Sequence, residues 1–123
     1  MAFKLNHIHV KTPDPDATVK WYVETLGAKI IKDKMAGGGY RIDLHGLPMN
    51  VSRFLDEQTH KQLYGFEHIA IDTDDLAGTV SKLKASGAKI LEECKNPSGR
   101  SVCFFEGPQG ITLEVIETAK ISD

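Results

Sequence analysis

The chain has 123 residues, 41% hydrophobic and 26% charged, with a formal charge of -2. That balance leaves no field able to gather nucleic acid or an anionic membrane surface. No apolar run approaches the roughly 20 residues of a membrane span, and two cysteines without CxxC spacing make no disulfide framework.

The opening MAFKLNHIHV lacks the apolar core of a signal peptide. The expectation is therefore one cytoplasmic domain, 1–123, with neither nucleic acid nor membrane as partner. Cys103 reads as a core residue, since a free Cys packs as a small hydrophobe.

In chain order, the first strand covers His7–Lys11, with Ile8 and Val10 on one side and His7, His9 and Lys11 on the other. A helix follows, capped by Asp14 or Asp16, with Val19, Tyr22, Val23 and Leu26 as its apolar stripe. Gly27 ends it in the left-handed conformation that glycine tolerates best. Three strands come next, near 28–34, 39–45 and 47–53, with Gly37-Gly38-Gly39 as a turn. Residues 55–65, LDEQTHKQLYG, form a polar connection. A strand at 66–73 opens the second half. Its helix takes Asp74 or Asp75 as cap, Leu76, Val80 and Leu83 as stripe, and Gly87 as stop. Strands near 88–93, 100–106 and 111–117 complete it.

The two halves repeat one another. LNHIHVKT (5–12) lies over FEHIAIDT (66–73), with His7 over His68. Both helical stretches end in Gly-Ala-Lys-Ile, and GLPMNV (46–51) lies over GITLEV (110–115), with Asn50 over Glu114. Module 1 thus covers about 4–54 and module 2 about 66–118. Alternation sends Ile8, Val10, Leu47, Met49, Val51, Ile69, Ile71, Ile111, Leu113 and Val115 to one face. The other face carries His7, His9, Asn50, Ser52, His68, Asp72, Thr112 and Glu114. Helices on one face and polar groups on the other make a ligand-holding surface.

On that face, His7, His68 and Glu114 compose two imidazoles and a carboxylate, a triad that holds a divalent metal and leaves positions open. This ligand set suits Zn, Mn, Fe, Co or Ni. His9 lies two residues beyond His7, about 6–7 Å along the strand. It can line the site as a general acid or base without sharing the metal. Arg41 can hold a substrate carboxylate or oxyanion. His45 shares the Arg41 strand face by alternation, near a turn and exposed. His60, in the connection, is given no role, and Lys11 and Arg100 read as surface charges. The AGGG run at 36–39 lacks the GK[ST] ending of a phosphate loop and reads as a turn.

Together the repeat, the His7/Asn50/His68/Glu114 set and the closing FFEGPQGITLEVIE (104–117) resemble the vicinal oxygen chelate superfamily. Its members include glyoxalase I, methylmalonyl-CoA epimerase, extradiol dioxygenases and fosfomycin-resistance transferases. The resemblance implies an α+β fold: two tandem βαβββ modules in a curved eight-stranded mixed sheet, helices on the outer face. It also implies a homodimer and a metal-dependent lyase or isomerase. Such an enzyme acts on a small substrate with vicinal oxygens, through a metal-stabilised enolate or oxyanion and side-chain proton transfer. In that role Glu114 ligates the metal and belongs to the catalytic set. Asn50 departs from the family, where a longer Glu or Gln stands, and Gly107 stands where an Asp commonly precedes the Pro. An amide cannot act as a base, which turns attention to His9. Two alternatives use the same fold: a ferrous ring-cleaving dioxygenase on the same triad, and a metal-free drug-binding protein resembling the bleomycin-resistance dimers.

Overall fold

A computed structural model describes residues 1–121. Its elements follow the expected order: β1 (Phe3–Lys11), α1 (Pro15–Leu26), β2 (Lys29–Met35), β3 (Gly39–Leu44) and β4 (Leu47–Ser52). The series repeats as β5 (Gly65–Thr73), α2 (Leu76–Ala85), β6 (Lys89–Lys95), β7 (Ser101–Glu106) and β8 (Thr112–Glu117). The eight strands form one mixed sheet in the order β2-β3-β4-β1-β5-β8-β7-β6. Among the described residues no helix is long and apolar enough to cross a membrane.

The chain divides into two compact units, and both β1 and β5 are shared between them. One unit holds His7–Asp56 with Lys61–Glu67. The other holds Met1–Asn6, Glu57–His60 and the chain from His68 onward.

In the first unit, Asp14 caps α1 by accepting the Ala17 amide at 3.0 Å, and Pro15 occupies the first turn. Gly27 closes the helix at φ 73°, its N–H reaching back to the Val23 carbonyl. Val19, Tyr22 and Val23 pack on Val10, Ile42, Met49 and Val51. Each fully buried aliphatic chain contributes about 1.5–3 kcal/mol before entropy. Leu26, expected in this stripe, is instead 44% exposed, in the last turn of α1 beside the Gly27 cap. The β3–β4 hairpin closes through a two-residue loop, His45 at φ 51° and Gly46 at φ 100°. Two-residue hairpin loops of the type I′ kind require both central residues at positive φ. His45 therefore leaves the strand and does not share the face of Arg41; its exposed ring binds the Leu26 carbonyl through Nε2.

Lys11 corrects the reading as a surface charge. Its side chain is fully buried, with Nζ 3.4 Å from Glu67 Oε1 and bonded to Gln62 Oε1. Gln62 in turn holds both backbone groups of Leu55, and Glu67 Oε2 accepts the Leu63 amide. A buried ammonium persists only with such partners. The residues around the connection are thus pinned to β1.

In the second unit, Asp75 is the cap of α2, accepting the Gly78 amide at 2.9 Å. Asp74 binds the Ala2 and Ile121 amides instead, which hold its carboxyl below the usual range. The helix ends at Ser86, followed by Gly87 at φ 83°. Val80 packs on Cys103, Phe105 and Val115, joined by Leu76 and Leu83. Cys103 is wholly buried, as expected of a core thiol, and burial pushes it up to about 11. The other face of these strands carries Ala70, Val102, Phe104 and Ile116.

Candidate metal and proton-transfer site

Strands β5 and β8 run parallel, with His68 opposite Thr112 and Ala70 opposite Glu114. This register brings His68 Nε2 to 3.2 Å from Glu114 Oε1, with side-chain exposures of 0% and 5%. Two ligand atoms, each about 2.1 Å from one ion, subtend roughly 100° across such a gap. The donor set and its spacing therefore fit a divalent metal. Phe104, opposite Glu114 on β7, meets the His68 ring edge-on with centroids 5.2 Å apart.

In the first unit, β1 runs parallel to β4, with Ile8 opposite Met49 and His9 opposite Asn50. His7 and His9 are each 6% exposed, so this polar face is withdrawn from water. Their rings meet edge-on at 5.5 Å. Arg41 lies opposite Asn50 on β3 and donates from Nη1 to Asn50 Oδ1 at 3.3 Å. The Asn50 carbonyl oxygen is thereby engaged by a guanidinium.

His9 Nε2 stands 2.7 Å from Ser52 Oγ, whose hydroxyl donates to the Arg53 carbonyl at 2.8 Å. Ser52 has one proton to give, so Oγ accepts from His9 Nε2–H. In that arrangement a neutral His9 carries its proton on Nε2.

The two registers correspond. Ile8 opposite Met49 matches Ile69 opposite Leu113, and His9 opposite Asn50 matches Ala70 opposite Glu114. His7 and His68 therefore hold equivalent strand positions, as do Asn50 and Glu114. Only the second module carries a carboxylate at this position.

One pair escaped the sequence reading. His60, given no role, is buried to 3% of its side chain and bonded through Nδ1 to Glu92 Oε1. Burial pushes the Glu92 carboxyl up, but the amides and side chains of His60 and Thr59 outweigh it, giving about 2. No motif links residues 32 positions apart in two unlike segments, and nothing local signalled the pair.

The doubled βαβββ order and a buried His–Glu pair define a class, and the chain belongs to it. Residues 4–115 match the Glyoxalase/Bleomycin resistance protein/Dioxygenase superfamily. Among its relatives, a lactoylglutathione lyase from Haemophilus influenzae is 28% identical, over 90% of each chain. A probable lactoylglutathione lyase of Arabidopsis thaliana, chloroplastic, is 31% identical over 93% of this chain, which spans 35% of that relative's length. Methylmalonyl-CoA epimerase from Mycobacterium tuberculosis shares the fold at a TM-score of 0.70 and 19% identity, covering 94% of this chain and 88% of its own.

Proposed function

We propose that this chain is a metal-dependent lyase or isomerase acting on a small substrate with vicinal oxygens. His7, His68 and Glu114 are the metal ligands, His9 moves the proton, and Arg41 orients the substrate. The observation that carries this reading is the buried His68–Glu114 pair at 3.2 Å, on the strand position that the repeat duplicates at His7. The names of the relatives, lyases and an epimerase, support the reaction class.

A bound divalent ion would polarise the substrate's oxygens and stabilise the negative charge that develops when a neighbouring proton leaves. The chain's own residues do the rest. Ser52 holds the His9 ring in place, and the imidazole takes the substrate proton and returns it afterwards. Arg41, steadied by Asn50, offers its remaining N–H groups to an anionic oxygen. The Asn50 amide has no basic group to contribute.

Deuterium incorporation tests the reading directly. Lactoylglutathione and methylmalonyl-CoA, incubated in D2O with protein reloaded with Zn, Mn, Fe, Co or Ni, should take up deuterium at the carbon beside the carbonyl. A reloaded protein that exchanges neither would argue against this substrate class. One that cleaves a catechol with Fe(II) and O2 would favour the dioxygenase reading.

A further inference from the structure

Glu92 and His60 stand outside both the proposed ligand set and the proton-moving group, yet the fold goes out of its way to join them. Strand β6 carries a bulge: Ile90 pairs with Phe105 and Glu92 with Phe104, leaving Leu91 as the extra residue. Ile90 packs with Phe105 on the α2 side, while Leu91 packs with Phe104 on the other. Plain alternation would set Glu92 opposite Cys103, beneath α2. The bulge re-aims its carboxylate to the side of Phe104.

There Glu92 Oε1 accepts the Thr59 and His60 amides, each at 2.9 Å, and also the His60 Nδ1–H. Oε2 accepts the Thr59 hydroxyl at 3.0 Å. An ionised carboxylate only accepts, so the proton between the side chains sits on Nδ1. The clamp lays the His60 ring on Phe104, centroids 4.2 Å apart. Phe104 in turn stands edge-on to His68, at 89° and 5.2 Å. The contacts run unbroken from Glu92 through His60 and Phe104 to His68 and Glu114.

We propose that Glu92 and His60 are positioning residues for His68. The hydrogen-bonded imidazole holds Phe104 in one rotation, and the Phe104 ring sets the plane in which His68 faces Glu114. An aliphatic filler would cover Phe104 with less desolvation, but nothing would fix its rotation. Groups hydrogen-bonded directly to a ligand are worth about 10–100-fold in metal affinity, which sets the ceiling for a relay through Phe104. That part of the inference rests on the proposed metal reading; the orientation of the ring does not.

Two measurements on the full chain test it. Long-range 1H–15N spectra of metal-free protein report the His68 ring, assigned by its loss in His68→Gln. Glu92→Gln keeps an accepting oxygen and should leave those signals in place. Glu92→Ala and His60→Ala should shift or broaden them. In a Co(II) titration, the same two variants should bind more weakly than the parent, by up to about 100-fold. His68 signals unmoved by Glu92→Ala, or unchanged Co(II) affinity in that variant, would overturn the proposal. A parent that takes up no Co(II) defeats the metal reading instead, and the ring spectra alone then decide positioning. Should Glu92→Ala not fold, His60→Phe keeps an aromatic ring on Phe104 without the clamp and gives both readings.

Discussion

His68 Nε2 and Glu114 Oε1 face one another across 3.2 Å on adjacent parallel strands, both side chains withdrawn from water. That spacing suits a shared ion, so each side chain should be indispensable for metal uptake. His68→Ala and Glu114→Ala, purified without chelator and reloaded, should lose stoichiometric divalent metal by elemental analysis. Full retention in either variant would remove that residue from the ligand set. Both sites are buried, so circular dichroism must first show that the variants fold.

His9 should separate from the ligands in its effect. Once a turned-over substrate is in hand, His9→Ala should lower kcat by about 10²–10⁴-fold while metal content stays at the parent level. Ser52→Ala removes the group that holds its ring in place and should lower kcat less. Asn50→Ala releases Arg41 and should act mainly on KM. If Asn50→Ala abolishes turnover and His9→Ala does not, the proton-moving role passes to water oriented by Asn50.

The Lys11–Glu67 pair sets a stability test. Lys11→Met leaves the Glu67 carboxylate buried without its cation and should cost about 3–5 kcal/mol in urea unfolding. Lys11→Met with Glu67→Gln should recover much of that loss, because the uncompensated charge is gone. Equal stability of single and double variants would show that the uncompensated Glu67 charge does not govern the loss.

Glu92 contributes in acid. Its carboxyl is held at about 2, against 4.5 for the free group. A depressed carboxyl stabilises fully above its unfolded pKa, and the contribution fades as pH falls through the folded one. Melting curves should therefore fall more steeply for the parent than for Glu92→Gln between about pH 4.5 and pH 2. Parallel curves would mean that the bonds from Thr59 and His60 add nothing that depends on charge.

Edge strand β2 exposes Ile30 at 52% and Ile31 at 61%, apolar surface of the kind that pairing covers. The expected homodimer should appear as twice the 13.6 kDa chain mass in light scattering at micromolar concentration. Ile31→Glu should shift it toward monomer. A parent that runs as a monomer would end this expectation.

What the chain settles by itself is local or repeated. Asp14, Gly27 and Gly37-Gly38 act within one turn of where they stand, and the strands come from period-two alternation that needs no partner. His7 and His68 could be singled out as candidates because duplication writes the same residue at one strand position twice, and Glu114 because it shares their polar face by alternation. Other outcomes needed pairing across the sheet. Asp74 and Asp75 are equal caps in sequence; only Asp74's bonds to Ala2 and Ile121 reserve it for the termini. Lys11 reads as a surface charge until Glu67 and Gln62, more than fifty residues away, supply the partners that make its burial tolerable. Glu92 reaches His60 because a single extra residue in β6 reverses which face it occupies. A bulge has no periodic signature, and a buried charge depends on the partner that long-range register delivers. Those choices belong to the tertiary structure.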